Sequence, residues 1–332
     1  MSASDPSVLV IGCGSIGERH VRTFLATGRA GVVGCDSRAA VREDMTNRYG
    51  IEAVSDWVPV LENPAVSGVV IATPAQSHME IAIRCLQAGR HVLIEKPLAL
   101  SLADTDRLVA ARDRARRFAG VAYVLHFVPA LQAARQFIQA GSLGPVRHVA
   151  VNTGQHFPFF RPAYREIYYR DRAQGGGAIQ DALTHMANAI EWIVGPTTRV
   201  FCDAAHQVLE GVTVEDTVNA TARNGPALVS YALNQFQAVN ETRWDFHADT
   251  GSVRVEMNAQ RWGVLARGET EWKWHAAPLA ERDQIYAAQA AAFLDGTEGK
   301  PNPLCTLEEG IQTLRFNLAA LQSWSENRPI LP

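Results

Sequence analysis

The sequence predicts an α/β protein of two domains. Residues 1–125 read as a doubly wound parallel sheet, and residues 126–332 as a second α/β domain with a large, mostly antiparallel sheet. Three observations carry this. Short apolar runs alternate with helical patterns through the first 125 residues, the rhythm of a parallel sheet covered by helices. A glycine-rich turn joins the first strand to the first helix. After Pro129 the alternation stops and strand-like stretches follow one another, as they do in antiparallel sheets.

The elements come in order. Residues 7–11 are a short buried strand, and Gly12 to Gly17 follow at once. Residues 18–28 read as a helix closed by Gly28, and 32–35 as a strand that stops at Asp36. The apolar run 69–72 is broken by Thr73 and Pro74. Residues 77–89 predict a helix with Ser77 as N-cap and Gly89 just past its end, and 91–94 the next strand. A helix near 102–117 and a strand at 119–124 complete this half. Beyond Pro129, a helix at 130–140 ends at Gly141. Strands are expected at 146–153, 198–208, 213–222, 227–237, 243–248, 251–257 and 261–267, interrupted by a helix at 178–194. Helices at 281–295 and 306–325 close the chain. Residues 154–177, dense in aromatics, arginines and glycines, predict no regular structure, and a loop that long is usually functional or disordered.

Composition excludes several classes. An apolar fraction of 47% and a charged fraction of 20% describe a globular chain able to bury a large core. A net charge of −3 argues against a nucleic-acid or anionic-membrane surface. No apolar run reaches the roughly 18–20 residues of a membrane span, and the first residues carry no basic leader. The five scattered cysteines form no C-x-x-C pair, so neither a metal site nor a disulfide framework is expected, and a reducing cytoplasm fits.

Gly12, Cys13, Gly14, Ser15, Ile16 and Gly17 spell G-x-G-x-x-G between strand and helix. The first glycine makes the tight turn, the second lets backbone amides approach a pyrophosphate, and the third allows close helix–strand packing. The helix N-terminus faces the negative charge. Asp36, at the end of the second strand, stands where a ribose hydroxyl is bound, which completes a dinucleotide fingerprint. Its carboxylate would repel a 2′-phosphate and favours NAD. Ser37 and Arg38 are what such a phosphate would want, so NADP stays as the alternative.

Lys96 ends the strand 91–94 in the sequence Glu95, Lys96, Pro97. Ligands of open α/β sheets bind at the carboxyl ends of strands, where a lysine can donate to a hydroxyl or handle protons. A solvated strand end is the simpler reading of the tripeptide alone. Asp181 and His185, spaced i and i+4 on the helix 178–194, share one face. They read as a histidine base oriented by a carboxylate, or as an N-capping aspartate with a core histidine. In the loop, Arg161, Tyr164 and Arg165 are candidates to contact an anionic or nucleotide-linked sugar, since rings stack on sugars and guanidinium groups bind carboxylate or phosphate. Packing of that loop on the sheet or on a neighbouring subunit is the other reading.

Taken together, the glycine loop, Asp36, Ala72-Thr73-Pro74 with His78, the run from Ala88 to Pro97, and the glycines before Asp181 and His185 resemble the Gfo/Idh/MocA family. The resemblance implies a Rossmann domain followed by an α/β domain whose open sheet mediates dimers or tetramers. It also implies a nicotinamide cofactor and hydride transfer at a carbinol carbon of a sugar, cyclitol or sugar derivative. Lys96 matches the family's catalytic lysine, and the Lys96–Pro97 bond is often cis in relatives. Asp181 and His185 match the residues lining the substrate pocket. A carbinol would then lie between Lys96 and His185, with Thr73 and Pro74 on the nicotinamide side, His78 supporting the cofactor pocket and Glu95 in the ribose region. His126 stands where many relatives are arginine-rich, as a substrate contact or an ordinary buried histidine. Leu183 and Asn188 replace the usual glycine and acid. The same machinery could instead run a glycosidase or epimerase that oxidises transiently and recycles its cofactor.

Overall fold

The computed structural model describes residues 6–278 and 280–332, so the reading of the first residues, Met1 to Asp5, lies outside what is described. The chain divides into two compact units, Met1–Phe127 with Glu281–Ile311, and Val128–Ala280 with Gln312–Pro332. The sequence alone suggests a single boundary at 125/126, with 281–311 in the second half.

Six parallel strands build the first unit: β1 (Ser7–Ile11), β2 (Gly31–Cys35), β3 (Glu52–Val54), β4 (Val66–Ile71), β5 (His91–Ile94) and β6 (Ala119–Val121). They lie in the order β6-β5-β4-β1-β2-β3, a doubly wound sheet. Helices α1 (Ser15–Ala26), α2 (Ala39–Tyr49), α3 (His78–Gln87) and α4 (Thr105–Ala115) connect them. The register decides the function. Ile11 is level with Cys35 and Ile71, Ile71 with Ile94, and Ile94 with Val121. The residues that follow each strand, Gly12, Asp36, Thr73 and Lys96 among them, therefore emerge along one edge of the sheet.

The later segment completes this unit for reasons no local pattern shows. Strand Cys305–Thr306 pairs antiparallel with β6. On the helix Arg282–Thr297, Phe293 meets the Phe24 ring edge-on at 5.8 Å. A Cβ on Gly68 would come within 2.7 Å of that ring, so the glycine makes its room. Helix α2 and strand β3 were not foreseen, because α2 buries only Met45 and so carries no apolar stripe. Ser77 precedes α3 but does not cap it; its hydroxyl donates to the Pro74 carbonyl instead.

Eight strands build the second unit: β7 (Val146–Gly154), β8 (Thr197–Ala205), β9 (Thr217–Asn224), β10 (Ala227–Asn234), β11 (Glu241–Ala248), β12 (Gly251–Glu256), β13 (Arg261–Ala266) and β14 (Lys273–Ala276). Their order is β14-β13-β12-β11-β7-β10-β9-β8, with β7 and β10 parallel and every other pair antiparallel. Alternation along the strands buries one face. Phe137 of the helix Pro129–Gln139 packs on Trp262, and Phe316 of the last helix on Tyr231. The opposite face carries exposed residues such as Phe201 and Leu228. Strand β14, missed by the sequence reading, is exposed at all four positions and shows no alternation. Among the described residues no helix is long and apolar enough to cross a membrane.

Candidate active site

Each glycine of the loop answers a different constraint. Gly12 has φ +87°, and a Cβ there would lie 2.8 Å from the Ala72 carbonyl oxygen. A Cβ on Gly17 would lie 1.7 Å from the Gly12 oxygen, so α1 could not approach its strand. Gly14 differs: a Cβ would meet only the tip of Arg38, at 3.8 Å. Protein atoms do not demand that glycine, but a pyrophosphate at the helix end would. Gly14 also gives α1 no capping side chain, which leaves the amides around Ser15 and Ile16 facing outward at the positive end of the helix. The loop fits a dinucleotide.

Asp36 is nearly buried and organises the ribose end. It accepts from the Cys13 amide at 3.0 Å and from the Arg38 amide at 3.0 Å. The Arg38 guanidinium holds both carboxylate oxygens, at 3.0 and 3.1 Å. Burial works against the charge of Asp36, but these donors outweigh it and hold the carboxyl below the usual aspartate range. Arg38 is thus committed to Asp36, which favours NAD over its phosphorylated form. Ser37 is exposed, and its carbonyl accepts from Arg42.

Two buried histidines stand at the ends of β4 and β5. His78 places Nε2 2.8 Å from the Thr73 carbonyl and Nδ1 3.1 Å from the Pro97 carbonyl, and burial holds its imidazole below the usual range. Thr73 shares a hydroxyl contact with Ser77, next to the exposed Pro74. The Lys96–Pro97 bond is cis. Glu95 is turned inward: its Oε1 lies 2.7 Å from His20 Nε2, and its Oε2 accepts from the Lys96 amide at 3.1 Å. At 6% exposure, with both oxygens engaged, it braces the lysine turn. His20 was not foreseen; a buried polar residue three places beyond Gly17 was the available signal. His126 is fully buried, with Nδ1 2.9 Å from the Pro303 carbonyl.

In the second unit, Asp181 does not sit on an α-helix. Residues Ile179–Leu183 form a π-helical turn that runs into the helix Thr184–Val194, which carries His185. Such turns take an extra residue and recur at functional sites. Glu215, fully buried, holds the start of this segment by accepting from the Ile179 amide at 3.1 Å and from Arg172 at 3.0 Å. Leu183 is buried, and Asn188 donates to Thr313 at 3.1 Å, so these two departures from the family pattern serve packing.

The loop 154–177 is ordered around its own core of Phe157, Tyr164 and Tyr169 with Leu209, Val212 and Val214. Its candidates separate. Arg161 reaches Asp181 at 3.3 Å, with its guanidinium 5.2 Å from the Phe157 ring centre. Tyr164 packs in that core and donates its hydroxyl to the Glu210 carbonyl at 2.7 Å. Arg165 spends its donors on Tyr164 and Glu210. Tyr168, which the sequence reading passed over, donates to Asp181 at 2.5 Å.

Comparison with known proteins agrees with this construction. Residues 7–123 match the family model described as "Oxidoreductase family, NAD-binding Rossmann fold", and residues 131–254 match the "GFO/IDH/MocA C-terminal domain". The 1,5-anhydro-D-fructose reductase of Ensifer adhaerens is 27% identical over 281 residues, which cover 82% of this chain and 81% of that protein. Levoglucosan dehydrogenase, solved with NADH and levoglucosan, superposes with a TM-score of 0.87 at 20% identity over 98% of this chain and 99% of that one. The WlbA dehydrogenase of Bordetella pertussis, solved with NADH and UDP-GlcNAcA, does so with a TM-score of 0.85 at 24% identity over 100% and 99%. With a dinucleotide cradle and both domains matched, the chain belongs to the Gfo/Idh/MocA family of NAD-binding oxidoreductases.

Proposed function

We propose that this chain is an NAD-dependent dehydrogenase acting on a carbinol carbon of a sugar, cyclitol or anionic sugar derivative. The observation that supports this most is the strand register of the first unit, which brings the glycine loop, Asp36 and Lys96 out along one sheet edge. Oxidising a carbinol removes a hydride from carbon and a proton from oxygen. The nicotinamide, when bound, supplies the hydride acceptor. The chain must then handle the proton. Lys96 donates to the carbinol oxygen and polarises it, and the His185 imidazole takes the hydroxyl proton. Asp181 binds a neighbouring hydroxyl of the substrate.

Arg161 on Asp181 supports the anionic end of the substrate range, because a guanidinium can turn to a carboxylate or phosphate. The WlbA dehydrogenase, whose structure holds a nucleotide-linked sugar acid, is a relative of that kind. Self-association through the exposed sheet face, where Phe201 and Leu228 stand among polar side chains, completes the proposal; Leu228→Arg should lower the mass measured by light scattering.

The test is Lys96→Met in a screen of sugars, inositols and uronic acids with NAD and NADP, followed by absorbance of the reduced cofactor. Loss of a proton-handling group costs about 10²–10⁴-fold, while NADH affinity should stay nearly unchanged. Retained turnover in the variant overturns the assignment. Product formed without net NADH would select the recycled-cofactor glycosidase or epimerase instead.

A further inference from the structure

Lys96 is one of only three lysines in the chain, the others being Lys273 and Lys300. Those two are exposed and paired with Glu269 and Glu298. The partly buried one stands on a scaffold of a different kind. On its N-terminal side, Glu95 is 6% exposed and spans two partners, His20 Nε2 at 2.7 Å and the Lys96 amide at 3.1 Å. His20 is 1% exposed, comes from α1 and meets the Tyr286 ring edge-on. On the C-terminal side, His78 is also 1% exposed and bridges the Pro97 and Thr73 carbonyls. The main chain around Lys96 is therefore gripped on both sides by buried side chains. Their polar atoms are spent on one another and on the main chain of this turn, so whatever they contribute passes through the lysine.

We propose that the His20–Glu95 pair and His78 are positioning residues that fix the Lys96 main chain from both sides and so set where and how readily its amine meets the carbinol. The inference deepens the reading of Lys96 as the polarising group and rests on it. The two braces act differently. Glu95 places a carboxylate against the lysine's own amide, so it both orients the turn and biases the amine toward its charged form. His78 carries no such charge effect on the amine. It ties the turn to the end of β4, and a loosened turn lets the lysine behave like an exposed one.

Lysine scarcity makes a test that needs no substrate. The NADH-saturated protein is acylated with acetic anhydride across a pH series, and the three lysines are quantified by peptide mass spectrometry, Lys273 and Lys300 serving as internal standards. In Glu95→Gln the half-labelling pH of Lys96 should fall by about half a unit or more, the sign expected when a neighbouring carboxylate is neutralised. In His78→Gln its profile should move toward those of Lys273 and Lys300. NADH should still bind both variants, read by fluorescence, so that labelling is measured on the saturated protein, and the two standards should not move. If Glu95→Gln fails to fold, His20→Asn removes the other end of the same pair and loosens the turn, so the Lys96 profile should move toward those of Lys273 and Lys300. Unchanged Lys96 profiles in folded variants overturn the proposal. Turnover retained by Lys96→Met would overturn the underlying reading and leave the labelling result standing, so the two failures are distinguishable.

Discussion

The two units secure their functional groups by different means. In the first, the cofactor loop, Asp36 and Lys96 are placed by main chain: five strands end level, and glycines leave the space a dinucleotide needs. In the second, Asp181 is placed by side chains, with Arg161 and Tyr168 from a long loop converging on it and Glu215 holding the turn beneath. A main-chain cradle tolerates most changes nearby except at its glycines. A side-chain network can be retuned one residue at a time. Under the proposed function, the first suits a cofactor that does not change, and the second a substrate that does.

The sharpest way to break that contrast is at the cradle. Gly17→Ala would put a Cβ 1.7 Å from the Gly12 oxygen and push α1 away. Overpacking of this kind costs about 1–3 kcal/mol, so NADH affinity should fall roughly tenfold to a hundredfold, with a lower melting temperature. Gly14→Ala should weaken NADH as much with no change in melting temperature, since its Cβ meets only the Arg38 tip at ordinary contact distance. Titration of NADH fluorescence and a thermal melt separate the two; equal melting shifts would sink the distinction.

Asp36→Ala comes next. It removes the carboxylate that holds Arg38 and releases the guanidinium for a 2′-phosphate. A hydrogen bond to a charged group contributes about 1.5–3 kcal/mol, so the NAD-to-NADP preference should shift by about tenfold or more. Parallel Kd measurements for NADH and NADPH decide it, and an unchanged ratio would show that Arg38 stays where it is without its partner.

In the second unit the largest single anchor is Asp216, buried and accepting from the amides of Gln207, Val208 and Leu209 and from Thr217. Burial raises its pKa, but these donors win and lower it below the ordinary 3.8. A depressed native pKa gives stability that is complete above the unfolded value and lost as pH falls through the native one. Asp216→Asn should therefore cost about 1–3 kcal/mol at neutral pH, and the gap to wild type should narrow below pH 4. A gap independent of pH would mean that the charge is not what anchors the loop.

What the sequence made legible follows the same division. Gly12, Gly14, Gly17 and Asp36 were readable because a bound dinucleotide imposes fixed backbone demands that only a few residue types meet. Most strands of both sheets were readable from apolar runs and alternation. Helix α2, strand β3 and strand β14 were not, because they bury too little to carry a period. The return of Glu281–Ile311 to the first unit was equally hidden: Phe293 fits beside Gly68 by a shape match between residues far apart in sequence. In the loop 154–177 composition announced aromatics and arginines but not which side chain faces which. Tyr164 goes into a small core while Tyr168 reaches Asp181, and nothing local distinguishes the two tyrosines.

The arginines of that loop give the smallest expected effect and the finest test. Arg165 is half exposed, and its ion pair with Glu210 spans 3.5 Å between two exposed groups. Such pairs contribute about 0–1 kcal/mol. Arg165→Ala should therefore leave KM for a neutral sugar and for its uronic acid within about twofold of wild type, with little change in melting temperature. Arg161 differs above all in its partner: Asp181 is 2% exposed and belongs to the turn that precedes His185. Arg161→Ala should raise KM for the uronic acid well above its effect on the neutral sugar, because an ionised substrate group loses a guanidinium and meets a carboxylate no longer balanced by it. If both variants shift both substrates equally, the loop acts through packing alone and its charges do not choose the substrate. If Arg165 rather than Arg161 carries the selective effect, the arrangement around Asp181 is not the one the substrate meets.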